Sequence, residues 1–309
     1  MHRMAVPALM TVALTFTGCD FDDFDGVARE KEDFHYTHAL KSGGRIELEN
    51  FNGSIEIMGW DKESVEIHGT KHAATRELLD AIRIDIDSTP DTLRIKTVRP
   101  VERRGNLGVK YVLSVPRKVV LDRIVSSNGG IRVEQLEATA KLRTSNGAVR
   151  ATAFRGDLDV TTSNGGIDLS EFQGGASLRS SNGAIRADGI RGFFEATTSN
   201  GPIDARIVEA TGTRPIRATS SNGRVTLAVE SLKNNDIIAS TSNSTLTVKL
   251  PSSAAARLKA STSNSSIQTE FDVKTQGAIS KNRMEGNIGE GGPLLDLHTS
   301  NGSIRVLKL

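Results

Sequence analysis

Thr144-Ser145-Asn146-Gly147-Ala148-Val149-Arg150-Ala151-Thr152-Ala153-Phe154-Arg155-Gly156-Asp157-Leu158-Asp159-Val160-Thr161 runs directly into Thr162-Ser163-Asn164-Gly165, where the same opening begins again. Ser-Asn-Gly triplets stand in strict register at Asn128, Asn146, Asn164, Asn182 and Asn200, each eighteen residues after the last. Looser copies follow at Asn222, Asn243, Asn264 and Asn301, and one precedes them at Asn52. A fixed period this short marks stacked repeats, each too small to bury its own apolar face.

Set out on that period, the chain falls into columns. Three residues after each Asn come Ile131, Val149, Ile167, Ile185 and Ile203; two further on come Val133, Ala151, Leu169, Ala187 and Ala205. Next is the column Leu136, Phe154, Phe172, Ile190 and Val208. On the return side come Ala140, Leu158, Ala176, Phe194 and then Leu142, Val160, Leu178, Ala196. Apolar and polar residues alternate within each run, the period-two pattern of a strand with one buried face. Each rung therefore reads as two short strands joined by two corners, with like strands pairing in parallel about 4.8 Å apart. The expected fold is all-β: a single β-solenoid, or parallel β-helix, right-handed, of about eighteen residues per rung, with an irregular N-terminal β cap.

Counting back from Asn164, Thr162, Val160 and Leu158 share its parity and point inward. This parity predicts the asparagine amides inside a corner in the left-handed conformation. Buried amides must be paired, so Asn128, Asn146, Asn164, Asn182, Asn200, Asn222, Asn243, Asn264 and Asn301 are expected to form a ladder. The neighbouring column Thr144, Thr162, Ser180, Thr198 offers similar bonds. Outward columns mix signs: Arg132, Arg150, Asp168, Arg186, Asp204 in one and Glu137, Arg155, Gln173, Arg191, Glu209 in another. With a net charge of only +2 over 309 residues, neither column offers a track for nucleic acid.

Aromatic residues make up only 4% of the chain and glycines number 29, which suits a thin aliphatic core. The single cysteine, Cys19, rules out an internal disulfide. It follows Arg3, an apolar stretch from Ala5 to Phe16, and Thr17-Gly18. This resembles a bacterial lipoprotein signal, which implies lipidation at Cys19 and a membrane partner reached through that anchor. Asp20 resembles the residue that keeps enteric lipoproteins on the periplasmic face of the inner membrane; the outer membrane is the alternative.

These readings divide the chain into a signal peptide (1–18), an acidic tether (19–33), an N-terminal β cap with the first rungs (34–125), and the solenoid (126–309). Within the cap, Thr75 to Ala81 reads as a helical turn, and Ser88-Thr89-Pro90-Asp91 as the bend of a hairpin. Residues 274–292 read as a loop before Leu295 to Ile304 restores the pattern in a last rung.

Asn52-Gly53-Ser54-Ile55-Glu56-Ile57 with Gly59-Trp60-Asp61, then Tyr111-Val112-Leu113-Ser114-Val115-Pro116, and finally Gly289-Glu290-Gly291-Gly292 before Thr299-Ser300-Asn301-Gly302-Ser303-Ile304 carry a family resemblance. Over about residues 40–309 the chain resembles the bacterial putative-adhesin family, a β-strand-repeat domain of unknown function. The resemblance implies an exported β-helical protein and brings no catalytic residues with it.

Little else points to chemistry. His2, His35, His38, His68, His72 and His298 are scattered; the pairs His35/His38 and His68/His72 have metal-like spacing, yet they are expected to be satisfied or exposed rather than ligands. Asn164-Gly165-Gly166-Ile167-Asp168-Leu169 echoes a calcium repeat, but Arg132, Arg150 and Arg186 take the Asp168 position in other rungs. The N-x-Ser/Thr sequons at Asn52, Asn243, Asn264 and Asn301 are incidental to the ladder. No cofactor is implied. The expected function is a non-enzymatic binding or structural module with a protein or glycan ligand. The alternatives are a carbohydrate-active enzyme using acids among Asp157, Asp159, Asp168, Glu171 and Asp188, or a periplasmic envelope-stress partner.

Overall fold

The computed structural model describes residues 30–100, 106–275 and 280–309, so Cys19 and the signal segment lie outside the described residues. The first strands are β1 (Glu30–Ala39), β2 (Arg45–Asn50), β3 (Ile55–Trp60) and β4 (Ser64–Ala73). After the short helix α1 (Arg76–Asp80) come β5 (Arg83–Ser88), β6 (Thr92–Val98), β7 (Leu107–Pro116), β8 (Lys118–Ser126), β9 (Ile131–Glu134) and β10 (Glu137–Thr144). Three long strands each make a whole rung: β11 (Val149–Thr162), β12 (Ile167–Ser180) and β13 (Ile185–Thr198). The remainder are β14 (Ile203–Glu209), β15 (Ile216–Ser220), β16 (Val225–Val229), β17 (Ile237–Thr241), β18 (Leu246–Leu250), β19 (Ala256–Thr262), β20 (Ile267–Thr269), β21 (Val273–Thr275), β22 (Arg283–Ile288), β23 (Leu294–Thr299) and β24 (Ile304–Lys308).

Each rung gives one strand to a back wall, before the Ser-Asn-Gly turn, and one to a front wall, after it. The back wall stacks β6, β2, β8, β10, the later halves of β11 to β13, β15, β17, β23 and β19, all in parallel. The front wall stacks β7, β3, β9, the early halves of β11 to β13, β14, β16, β18, β24 and β20, again in parallel. The described residues form eleven rungs, which at strand spacing make a rod about 48 Å long. The chain is a β-solenoid with its core between the two walls. Ala140, Leu158, Ala176 and Phe194 lie one over another, all at most 2% exposed, so large and small side chains interlock. Phe154 stacks on Phe172 at 5.9 Å between ring centres. Where the last of that column was expected at Val208, Ile207 pairs with Ile190 and is buried instead, because the register slips beside Ala187 and Ile190.

The stacking order departs from chain order at both ends. The β2–β3 rung lies between the β6–β7 and β8–β9 rungs. The final β23–β24 rung, expected to close the stack, instead lies between β17–β18 and β19–β20. Antiparallel strands then cover the ends. At the first end, β5 forms the expected hairpin with β6, while β4 joins β7 and β1 joins β4. Thr75 caps α1 by accepting from the Leu78 N–H. At the other end β22 lies against β19 and β21 against β22, so the segment read as a loop over 274–292 holds a strand, anchored by buried Ile288.

The tether is also shorter than expected, since Glu30 to Asp33 already belong to β1. Their acids meet partners on and beyond β4: Lys71 and Arg76 each approach Glu32 to 3.2 Å, and the Thr70 hydroxyl donates to Asp33 at 2.6 Å. These charges also blunt an edge that would otherwise template another chain.

Candidate functional site

The Ser-Asn-Gly turn is the one feature repeated on nearly every rung. Asn146 Nδ2 donates to Asn128 Oδ1 at 2.7 Å, Asn164 to Asn146 at 2.6 Å, Asn182 to Asn164 at 2.7 Å and Asn200 to Asn182 at 2.6 Å. The row continues through Asn222, Asn243, Asn301 and Asn264 in that spatial order, each bond 2.7 Å.

The amides do not face the interior. All nine asparagines are exposed, and none has a positive φ. Strand parity ends at the threonine: the N–H groups of Ser163 and Asn164 both reach the Ser145 carbonyl, so the chain turns outward there. The buried polar row is the Thr/Ser column. Thr162 Oγ1 accepts from the Gly165 N–H at 3.1 Å and donates to the Gly147 carbonyl of the rung before at 3.3 Å. Ser126, Thr144, Ser180, Thr198 and Ser220 repeat the same pair of bonds. The triplet glycine is needed for close approach rather than for backbone freedom: a Cβ on Gly165 would stand 1.7 Å from the Gly147 carbonyl oxygen. The left-handed residues sit at the opposite corner, in the column Gln135, Ala153, Glu171 and Gly189 (φ 51° to 72°), which no sequence pattern marked.

Outside the walls, opposite charges abut from rung to rung. Asp168 lies between Arg150 (3.4 Å) and Arg186 (3.6 Å). Arg206 binds Asp188 through two nitrogens and reaches Glu230 at 2.7 Å. Its hydrogen bonds hold the Asp188 carboxyl below the usual range. Lys233, at 2.5 Å, does the same to Glu209.

The five candidate acids are thus dispersed. Asp168 and Asp188 project from the front wall in ion pairs, Glu171 stands at the left-handed corner, and Asp157 and Asp159 project from the back wall. Those last two border a shallow groove of about 190 Å³, in which Gly175 lies between Asp157 and Phe193 and the Asp157 carboxylate reaches over it. Ser177, Thr139 and Lys141 complete its border, and the Arg214 guanidinium lies 4.9 Å from the centre of the Phe193 ring. Asp157 and Asp159 are two residues apart on one strand, about 6.7 Å along it. That spacing resembles an acid pair, but both carboxylates point the same way and are open to water. A substrate would lie over them rather than between them, and burial supplies none of the desolvation a general acid needs. A larger cleft of about 1310 Å³ opens at the first end beneath α1, bordered by Tyr36, Leu78, Ile82, Ile84 and Val98.

The histidines that meet are not the ones nearest in sequence. His35 stands directly opposite His68 across β1 and β4, and His38 lies on the other face of β1. His72 is half-buried, and burial together with nearby Lys31 holds its imidazole below the usual range. His298 shares a hydrogen bond with Ser261 at 3.0 Å. Among the described residues, no helix is long and apolar enough to cross a membrane.

Comparison with solved structures returns proteins described as adhesins, at low similarity. A "putative cell adhesion protein" from Clostridium sporogenes is 11% identical (90% of this chain and 100% of that one covered, TM-score 0.24). A "putative adhesin" from Bacteroides fragilis is 12% identical (92% and 99%, TM-score 0.25), and one from Parabacteroides merdae is 10% identical (90% and 96%, TM-score 0.26). No curated protein matches the sequence. The match that decides membership is to a sequence family described as Toastrack DUF4097, and it spans residues 49–245, from the end of β2 to the turn before β18. It covers the whole regular run of Ser-Asn-Gly rungs and most of the chain, and the protein belongs to the Toastrack DUF4097 family.

Proposed function

We propose that this Toastrack solenoid is an exported lipoprotein, held at a membrane through Cys19, that acts as a non-enzymatic binding and structural module of adhesin type. The observation that carries the reading is the back-wall groove. It is shallow, open to water and crosses several rungs, a shape suited to an extended chain rather than an enclosed small substrate. One aromatic ring, two carboxylates, two hydroxyls and the cations of Lys141 and Arg214 line it, a polar and aromatic set suited to hydrogen-bonding and stacking on a glycan. The rigid walls support this role, because the Asn row and the Thr/Ser row hold each outward residue in fixed register.

Two measurements test the reading. Glycan-array binding by the full chain is expected to show retained ligands that Phe193→Ala and Asp157→Asn lose, with no new reducing ends released from those ligands. Steady release of reducing ends, abolished by Asp157→Asn or Asp159→Asn, would replace the proposal with a carbohydrate-active enzyme. Fractionation of cells is expected to find the protein in membranes and Cys19→Ala in the soluble fraction; equal partition of the two would remove the anchor from the account.

A further inference from the structure

From the geometry of His35, Glu66 and His68 we infer a binding site for a divalent transition-metal ion, Zn²⁺ being the reference ion, on the outer front face at the first end of the rod. His35 and His68 are direct partners in the ten-residue antiparallel ladder of β1 and β4. Their rings stack with centres 4.2 Å apart and planes 11° from parallel. Glu66 precedes His68 by two residues, so it shares that face, and its Oε2 lies 3.9 Å from His68 Nε2. One donor atom from each of the three lies within 4.8 Å of the others. A tetrahedral Zn²⁺ with bonds near 2.1 Å needs donors about 3.4 Å apart. Both rings are exposed, so a turn about the side-chain bonds closes that gap without moving the backbone. Two imidazoles and a carboxylate are a donor set for a borderline ion such as Zn²⁺, Co²⁺ or Ni²⁺, and too nitrogen-rich for Ca²⁺ or Mg²⁺. Lys62 approaches the other Glu66 oxygen at 3.8 Å and would stay on the far side of the carboxylate when the first oxygen binds the ion.

The location gives the ion a task. Among the described residues, β1 is an edge strand, hydrogen-bonded in the ladder only to β4. An ion bound by His35 on one strand and by Glu66 and His68 on the other ties the edge to the wall. Its fourth position faces solvent, where water or a donor from another molecule completes the shell. The inference stands apart from what the groove binds.

The test uses the full chain, Zn²⁺ in calorimetry, and Co²⁺ as a coloured substitute. One Zn²⁺ per chain is expected to bind in the micromolar range, Co²⁺ to give the intense visible bands of a tetrahedral site, and Zn²⁺ to raise the melting temperature. His35→Ala or His68→Ala should each weaken binding at least about tenfold, since loss even of an outer-shell partner costs that much. Glu66→Gln should weaken it too, while His298→Ala should leave it unchanged. Circular dichroism of the metal-free variants separates lost binding from lost fold. The inference is overturned if the chain binds no stoichiometric Zn²⁺, or if folded chain lacking both His35 and His68 side chains binds it as tightly as before.

Discussion

Replacing Thr162 by Val and Asn164 by Ala separates the buried row of the turn from the exposed one. Thr162→Val keeps the branched shape but deletes two buried hydrogen bonds, from the Gly165 N–H (3.1 Å) and to the Gly147 carbonyl (3.3 Å). Leaving a buried polar group unpaired costs about 1–3 kcal/mol, and the amide has no other partner within the turn. The Gly165 N–H and the Gly147 carbonyl both lose this partner and the added methyl returns about 0.8 kcal/mol of apolar burial, so a net loss of roughly 1–5 kcal/mol is expected. Asn164→Ala also deletes two bonds, to Asn146 and from Asn182. Those groups are exposed and regain water, so the loss should stay below about 1 kcal/mol. Urea denaturation read by circular dichroism gives the midpoints, which are comparable only if the slope is unchanged, since long repeat arrays do not always unfold in one step. Hydrogen exchange at the Gly165 amide gives a local reading and should accelerate in Thr162→Val alone. The reasoning fails if Asn164→Ala costs as much as Thr162→Val, or if Gly165 exchange is equally fast in both.

Gly165→Ala should destabilise severely, by more than about 3 kcal/mol, because its Cβ meets a backbone carbonyl at 1.7 Å; Gly212→Ala, with open space but φ +80°, should cost only about 1 kcal/mol, and thermal melts of the two decide. The Tyr111 phenol, buried and bonded to Thr97 at 2.7 Å, should ionise at about 12, as absorbance titration will show. Its ionised form is disfavoured in the fold, so that stability is present below the ordinary phenol range near pH 10 and is lost as pH rises toward 12, a decline that Tyr111→Phe should reduce. Arg206 depresses the Asp188 pKa, so the pair's contribution is present above the ordinary aspartate range near 3.9 and is lost as pH falls through the lower folded value. Arg206→Met should therefore flatten the acid limb of a midpoint-against-pH curve, and an unchanged limb would show that the surface pairs carry nothing.

The period and the alternation of apolar residues make the walls legible in sequence, because every rung must present the same parity to its neighbours. Leu158, Val160 and Ile167 could be placed inside on that ground alone, and the structure buries each to within 2% exposure. Asn164 could not be placed by the same count, since parity holds only while the backbone stays extended and here it bends immediately after Thr162. A hydroxyl next to its own turn is the shorter route to satisfying Gly165, and the longer amide is left for the outside. The His35–His68 pairing was hidden for a different reason: it depends on an antiparallel ladder between strands 33 residues apart, with no local pattern to announce the register. The dispersal of the acids was half visible, for the mixing of Asp168 with Arg150 and Arg186 follows from the period, whereas the groove is bordered by residues of several rungs whose shared wall the period alone does not single out.

The order of the rungs at the ends was also beyond a periodic reading, because a repeat says what each layer looks like and not which layer lies on which. Its consequence is mechanical. In a solenoid stacked in chain order, the terminal rung is held on one side only and can peel away without disturbing the next. Here the β23–β24 rung is paired on both sides, to β17–β18 and to β19–β20, so its removal breaks two sets of ladders. The β2–β3 rung is clasped in the same manner between β6–β7 and β8–β9. Closing each clasp requires contacts between segments far apart in sequence, such as Leu246 with Ile304 or Ile55 with Ile131, and these ladders form late because long loops must close first. The strands exposed beyond the clasps are then short or charged or antiparallel, so what remains at each end is a poor template for another copy. A rod built this way resists fraying from both termini while its walls stay free for contact.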